Sequence, residues 1–191
     1  MNIYMKFLVL LSVVLLIASC SSGDGEKVED APDKGATEMA TRIRTMEDSL
    51  FENMAFDRRN AQMLLDVYKA YATAYPLDAR SPEYLFRAAG VLRAMGLADQ
   101  SILMYDRIIA DYPGWERLAD TYYLKAFTID TELGHKGDAE AAYKKVINLY
   151  PDHKFAQDAR VMIENLAYTD EELIARWKLQ EAQDTLSANA R

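Results

Sequence analysis

Few side chains in this sequence have the type and spacing that chemistry at a site requires. His135 and His153 are far apart in the sequence, and no carboxylate pair stands near them at the spacing of a metal site. Asp170, Glu171 and Glu172 are consecutive, so in a helix they point in different directions and complement its dipole instead of forming an acid–base pair. We therefore expect solvated loop histidines and a helix cap, and we predict no metal or other cofactor.

Sequence motifs for catalysis and for nucleic-acid binding are also missing. The sequence contains no nucleophile motif, phosphate-binding loop or dinucleotide fingerprint. It has 22 Lys and Arg against 30 Asp and Glu, which gives a formal net charge of −8, and it has no basic run. A phosphate backbone needs clustered cations, so no nucleic-acid partner is expected. We predict a protein that is not an enzyme and has no evident small-molecule substrate.

The single cysteine directly follows a short apolar segment. Residues 7–18 (FLVLLSVVLLIA) are fewer than the ~20 residues of a membrane span and are typical of the apolar core of a secretory signal. The segment leads into Ile17-Ala18-Ser19-Cys20, which resembles the lipobox of bacterial lipoproteins. In that family the cysteine is lipidated and becomes the new N-terminus. A cleaved signal with an accidental cysteine is the alternative.

The lipobox resemblance implies a signal peptide over residues 1–19 and a lipid on Cys20. In such lipoproteins an Asp after the cysteine tends to retain the product at the inner membrane, whereas Ser21 stands here. The resemblance therefore implies anchoring in the outer membrane, and we expect a periplasmic orientation, with the cell surface as the open alternative. Residues 21–37 contain three Gly and five acidic residues. Such a segment buries too little apolar surface to fold, so residues 20–37 are predicted to form a disordered tether.

Three copies of one phrase organise the remaining chain. They are YKAYATAYP at residues 68–76, YDRIIADYP at 105–113 and YKKVINLYP at 143–151, and the residue numbers of their closing prolines differ by 37 and then by 38. A nearly fixed period of this length predicts stacked helical hairpins. Apolar residues between the phrases step by three and four, as on one face of a helix. The expected N-caps are Asp57 and Ser81, and the expected hairpin turns are at Gly96 and residues 134–137.

Two of the copies share a longer pattern. A glycine lies nine residues before the first tyrosine of the phrase, a small residue four before it and a proline eight after it: Gly96, Ser101, Tyr105, Pro113 and Gly134, Ala139, Tyr143, Pro151. This pattern resembles the tetratricopeptide repeat, although the usual period of that repeat is shorter, at about 34 residues. The first copy has Arg59 and Leu64 where Gly and Ala would stand. The Tyr-Pro endings resemble repeats of envelope lipoproteins, such as those of the outer-membrane β-barrel assembly machinery and the Tol-Pal system.

The repeat resemblance implies an all-α, right-handed solenoid of about eight helices over residues 38–187. Three hairpins are expected, followed by a C-terminal helix pair. Its first helix is predicted over residues 154–167, and its second helix starts with a capping box at Thr169 and Glu172. In the family a groove is lined by the first helix of each hairpin. The groove residues that this register implies are Phe86, Gly90 and Arg93 in one repeat and Leu124, Thr128 and Thr131 in the next.

Phe86 and Leu124 would be exposed apolar residues in equivalent places, which indicates a site for a peptide or protein. Burial of both between neighbouring hairpins is the alternative. The resulting hypothesis is a lipid-anchored adaptor that joins other envelope proteins during outer-membrane assembly or maintenance. An accessory ligand-binding or enzymatic subunit acting on peptidoglycan fragments or nutrients is the alternative, and it would need a closed polar cavity with converging titratable groups.

The anchor can be tested by changing Cys20 to Ser. Because the expected tether separates the anchor from the fold, Cys20→Ser should move the protein from the membrane fraction to the soluble fraction without changing its circular dichroism. Acyl chains contribute about 0.8 kcal/mol per buried CH₂, so the shift should be nearly complete. A variant that stays in the membrane fraction would contradict lipid anchoring as the sole attachment.

Overall fold

The computed structural model describes residues 33–52 and 57–189, and these residues form eight α-helices and no strand. In chain order the helices are α1 (Lys34–Glu52), α2 (Arg58–Ala74), α3 (Ser81–Ala94), α4 (Ala98–Asp111), α5 (Leu118–Thr131), α6 (Lys136–Leu149), α7 (Lys154–Asn165) and α8 (Asp170–Asn189). From α1 to α7 each helix packs against its neighbours in the chain, and α5 also contacts α7. The predicted all-α solenoid is confirmed. The predicted signal peptide, Cys20 and the tether up to residue 32 lie outside the described residues.

The hairpins repeat with two slightly different periods. The first helices α3 and α5 begin at Ser81 and Leu118, an offset of 37 in residue number, whereas the second helices α4 and α6 begin at Ala98 and Lys136, an offset of 38. The additional residue therefore lies in the turn between α5 and α6. Equivalent positions in α3 and α5 therefore differ by 37 in residue number. This offset determines which side chains of the two helices lie on the same face.

Glycines reverse the chain between the helices of two hairpins. Gly96 has a φ of 73° and Gly134 a φ of 67°, in the left-handed region that glycine enters without steric cost. After Gly96 the backbone N–H of Leu97 donates to the carbonyl oxygen of Leu92 at 2.9 Å, which closes the end of α3. The predicted turn at Gly96 is thus confirmed. The turn predicted over residues 134–137 forms at Gly134 but ends at His135, because α6 already begins at Lys136.

One of the two predicted N-caps is confirmed. Asp57 accepts hydrogen bonds from the backbone N–H groups of Arg59 at 2.8 Å and Asn60 at 3.3 Å. Ser81 was also expected to cap a helix, and this prediction is wrong by one residue, since Ser81 is the first residue of α3. Its hydroxyl instead donates to the carbonyl oxygen of Tyr75 at 2.6 Å, so it satisfies the end of the preceding helix.

Helix α1 begins earlier than the sequence indicated. The tether was expected to reach residue 37, whereas Asp33 caps a helix from Lys34 and accepts from the N–H groups of Gly35 at 2.7 Å and Ala36 at 3.2 Å. Tyr75 lies close to this turn, because a Cβ on Gly35 would be 2.5 Å from the Tyr75 hydroxyl oxygen. The helix therefore extends over residues whose composition predicted disorder.

Both histidines stand at the starts of helices. His153 was expected to be a solvated loop residue, yet it is half-buried and its Nδ1 accepts from the N–H of Phe155 at 3.3 Å, so it is the N-cap of α7. His135 lies at the start of α6 with 60% of its side chain exposed, 3.7 Å from Asp138. The first is therefore structural, and only the second is solvated as expected.

The last helix starts as predicted but does not pair as predicted. Thr169 and Glu172 form the capping box, with the N–H of Thr169 donating to Glu172 at 2.8 Å and the N–H of Glu172 donating to Thr169 at 3.3 Å. Helix α8 does not pack on α7 as the second helix of a hairpin. Residues 166–169 contain no glycine, and no non-glycine residue in the described ranges has a positive φ. The expected C-terminal pair therefore consists of two successive helices that do not form a hairpin.

Small residues allow the two helices of a hairpin to approach closely. Ser101 of α4 is fully buried, and its hydroxyl donates to the carbonyl oxygen of Ala89 in α3 at 2.9 Å. Ala139 occupies the same position in α6, is also fully buried, and belongs to a cluster with Ala126 of α5. The small-residue position of the repeat therefore marks the helix crossing.

A charge at this crossing should destabilise the fold. Ala139→Glu must bury an unpaired carboxylate or separate α5 from α6, at a cost of at least about 3 kcal/mol. The expected fall in Tm is roughly 6–12 °C for a chain of this size. Ala110→Glu is the matched control, since Ala110 is exposed on α4. Equal thermal melts for the two variants would contradict the crossing described above.

Candidate binding face

Side-chain contacts connect the first helices of successive hairpins. Glu47 of α1 pairs with Arg87 of α3 at 2.6 Å, and Arg87 also pairs with Glu83 at 2.8 Å. Glu83 in turn pairs with Arg117 at 2.6 Å, and Arg117 pairs with Asp120 of α5 at 3.1 Å. We call these five residues the ionic chain. It joins three hairpins across one face, formed by α1, α3, α5 and α7, which we call the first-helix face.

Tyrosines of the second helices donate hydrogen bonds to carboxylates of the first-helix face. The hydroxyl of Tyr68 on α2 donates to Glu47, and burial raises the pKa of Tyr68, so it remains a protonated donor. Burial also raises the pKa of Asp130, which accepts a hydrogen bond from the hydroxyl of Tyr143 at 3.2 Å. The second helices thus hold the carboxylates of the first helices in fixed positions.

Phe86 packs between hairpins and is not a free anchor. Its ring makes edge-on contacts with Tyr105 at 6.0 Å and Trp115 at 5.6 Å between ring centroids. The guanidinium of Arg117 lies 4.1 Å from the Phe86 centroid. Phe86 and Leu124 are both half-buried against the same apolar cluster. This arrangement agrees with the alternative in which the two side chains lie between neighbouring hairpins.

The different periods of the hairpins correct the expected position of Thr128. The sequence analysis paired residues of α3 and α5 that are 38 apart in number, whereas equivalent residues of the two helices are 37 apart. Phe127 is therefore the equivalent of Gly90. Thr128 is fully buried, and its hydroxyl donates to the carbonyl oxygen of Leu124 at 2.7 Å. Its side chain is not available to a partner. Thr131 is exposed, and with the offset of 37 the equivalent of Arg93 is Asp130 instead of Thr131.

Aromatic side chains that the sequence reasoning missed lie along this face. Tyr123 of α5 stacks on Phe155 of α7 with ring centroids 4.4 Å apart and planes inclined by 9°. Phe127 lies one helical turn further, 6.3 Å from Tyr123, and the Arg93 guanidinium is 5.2 Å above its ring. We call Tyr123, Phe127 and Phe155 the aromatic strip. An offset of 37, read from the prolines that precede α3 and α5, would have identified the first two.

Arg93 and Gly90 complete the face on α3. Arg93 pairs with Glu132 at 2.8 Å, just beyond the end of α5. Gly90 is exposed in the interior of α3, and a Cβ placed on it would meet nothing within 4 Å. Open space therefore lies above the backbone of α3 at the position where α5 carries Phe127.

A small polar cavity lies between α1 and α3 at one end of the face. It encloses about 160 Å³ and is lined by Ala40, Arg44, Glu47, Arg80, Glu83, Tyr84 and Arg87. Pockets for small organic ligands usually have roughly 300–1,000 Å³. The charged groups of the cavity are also largely paired, because Arg87 binds both glutamates and Arg80 binds Asp78 at 2.7 Å. That pairing holds the pKa of Asp78 at about 2.

Comparison with known proteins agrees with the architecture. Residues 83–114, which run from α3 through the Gly96 turn and α4, match the family model for the tetratricopeptide repeat. The match and the helical repeats support a tetratricopeptide-repeat protein. Such repeats are typically non-enzymatic scaffolds for protein–protein interaction, so a scaffold that binds protein partners is supported. No curated protein matches the chain. Within the described ranges, no helix combines the length and hydropathy needed to cross a bilayer.

The contribution of the ionic chain can be measured at Arg117. Arg117→Ala removes contacts to Glu83, Asp120 and Phe86 at once, so we expect a loss of about 1–2 kcal/mol in chemical unfolding. Lys144→Ala is the control, because its pair with Glu140 is exposed on α6 and should change stability by less than about 0.5 kcal/mol. Equal losses of unfolding free energy in the two variants would show that the ionic chain does not hold the hairpins together.

Proposed function

We propose that the chain is an adaptor that binds a segment of another protein along the first-helix face. The proposal rests on the presence of a glycine, Gly90, at an exposed position in the interior of α3. Glycine inside a helix costs about 1 kcal/mol relative to alanine. The fold gives no reason for this cost, since a side chain at Gly90 would meet no neighbour. Close approach of a partner to the backbone of α3 is the reason that we infer.

The chemistry of the surrounding residues defines the segment that would bind. Arg87, Arg93 and Arg117 on this face already have carboxylate partners, so an additional anion at these residues would have to displace Glu47, Glu83 or Glu132. The aromatic strip offers half-exposed apolar surface without such competition. We therefore expect a partner segment with apolar side chains that contact Phe127 and Tyr123 and a backbone that passes over Gly90.

For the cellular setting we infer a lipid-anchored protein of the bacterial cell envelope. The support comes from the secretory-type segment and from the lipobox-like residues that end in Cys20, and Ser21 favours the outer membrane. We infer that the repeat domain faces the periplasm and joins partners in outer-membrane assembly or maintenance. The folded part would stand away from the membrane on residues 20–32.

We further propose that the chain itself is not catalytic. The cavity between α1 and α3 gathers several titratable groups, and Glu47, Glu83 and Arg87 among them are joined in ion pairs. A subunit that handles peptidoglycan fragments or nutrients would need a larger enclosed pocket. No observation on the described residues favours that second function over the adaptor.

The test fills the space above Gly90. Gly90→Phe should abolish capture of the proteins that the wild-type chain retains from detergent-solubilised envelopes, because the new side chain occupies the path of the partner. The fold should be as stable as wild type or up to about 0.5 kcal/mol more stable, since Phe favours a helix more than Gly does. Gly90→Ala should gain about 1 kcal/mol in stability and keep most of the affinity.

Ala110→Phe is the matched control, because it adds the same side chain at an exposed position of α4. It should capture the same proteins as wild type. Each captured protein is then purified, and its Kd is measured with all four chains by calorimetry. A Gly90→Phe variant that binds as tightly as Ala110→Phe would contradict the proposed face.

A further inference from the structure

Two neighbouring hairpins differ at positions that should be equivalent. With the offset of 38 between α4 and α6, Leu103 and Met104 correspond to Ala141 and Ala142. Met104 packs against the apolar cluster around Tyr68 and against the cluster around Tyr105, so it joins the two. Ala142 packs only against the cluster around Tyr143. Met104 therefore fills the boundary between two hairpins, whereas the equivalent position at the next boundary has only the small side chain of Ala142.

The truncation opens a groove between α4 and α6 with α5 as its floor. The groove has a volume of about 300 Å³. Its apolar lining includes Tyr122 and Ile129 on the floor and Ile109 on the α4 wall, all half-buried. One hairpin earlier, the equivalents of Tyr122 and Ile129 are Leu85 and Leu92, which are 0% and 1% exposed. The groove is thus specific to the boundary between these two hairpins. It shares α5 with the aromatic strip, and its other helices, α4 and α6, carry neither the strip nor Gly90.

The rim of the groove is charged. Lys125 is neutralised by an ion pair with Asp106. The Lys145 ammonium lies 5.1 Å from the centroid of Tyr122 and has no ion-pair partner among residues 33–52 and 57–189. Asp138 also lines the groove, 79% exposed and 3.7 Å from His135. A matching occupant would carry a large apolar side chain with a carboxylate close to it.

Helix α8 of this chain carries that combination. Trp177 is 58% exposed, and no other helix of the described part packs on α8. Glu181 and Asp184 share a face with Trp177, and neither carboxylate has an ion-pair partner within the described residues. Helical stability in proteins comes mostly from packing, so a 20-residue helix with an exposed tryptophan requires a surface to cover it.

We propose that two copies of this chain associate through these surfaces, with Trp177 of each copy in the groove of the other and Glu181 beside Lys145 of the partner subunit. The exchange is reciprocal, so the two contacts are related by a two-fold axis and close into a dimer. The first-helix face stays free in both copies. The dimer therefore presents two binding faces of the kind described above.

Photo-crosslinking in the full chain tests the dimer. Benzoylphenylalanine replaces Trp177, and chains labelled with ¹⁴N and ¹⁵N are mixed in equal amounts before irradiation. We expect crosslinked peptides of mixed isotope content that join position 177 to residues lining the groove, such as Tyr122 or Ala142. The control carries the crosslinker at Leu179, which is 65% exposed and points to the opposite side of α8 at about 100° per residue.

A second variant closes the groove without touching α8. Ala142→Met restores the side chain found at Met104 and should lower the yield of mixed crosslinks by about thirty-fold, the effect of losing one anchoring residue. Ala110→Met, on the exposed side of α4, should leave the yield unchanged. Crosslinks within single chains only, crosslinks outside the groove, no crosslinks, or an unchanged yield in Ala142→Met would each overturn the proposal.

Discussion

Reversal of the chain at a glycine is the constraint on which the architecture depends. At Gly96 and Gly134 the backbone enters the left-handed region, and in both places the following helix returns along the preceding one. Each return brings a small residue, Ser101 or Ala139, to a helix crossing that has no room for a larger side chain. Between α7 and α8 no described residue has a positive φ, and α8 does not return along α7. The glycine turns therefore account for the closure of these two hairpins.

The sequence predicted the repeats well because their positions depend on local rules. The Tyr-Pro phrases, the turn glycines and the Asp57 cap each follow from backbone geometry within a few residues. Ser81 was assigned the wrong hydrogen-bond partner and Asp33 was missed as a cap, because a hydroxyl or carboxylate near a helix start can bind either the helix or the preceding turn. Composition alone could not show which of these bonds would form.

The candidate face was harder to predict, since it depends on the alignment of one repeat with the next. Because of a single additional residue between α5 and α6, the second helices are offset by 38 and the first helices by 37. Use of the offset of 38 for the first helices moved the prediction from Tyr123 and Phe127 to Leu124 and Thr128. Phe86 was expected to be an exposed groove residue, whereas Arg117 covers it from the connection between α4 and α5, nearly a whole repeat later in the chain. Contacts of this range are fixed by tertiary packing and leave no periodic pattern in the sequence.

Differences between equivalent positions separate structural from functional residues in this array. Positions that pack within a hairpin keep their character, as Ser101 and Ala139 or Tyr105 and Tyr143 do, because the helix crossing admits few alternatives. That regularity is broken at two pairs of equivalent positions, Gly90 with Phe127 and Met104 with Ala142. In each pair the fold has space for the larger side chain at the position of the smaller one. A repeat that omits a favourable side chain loses stability by doing so. Within the described residues, the omissions at Gly90 and at Ala142 are therefore the observations on which the two proposed surfaces rest.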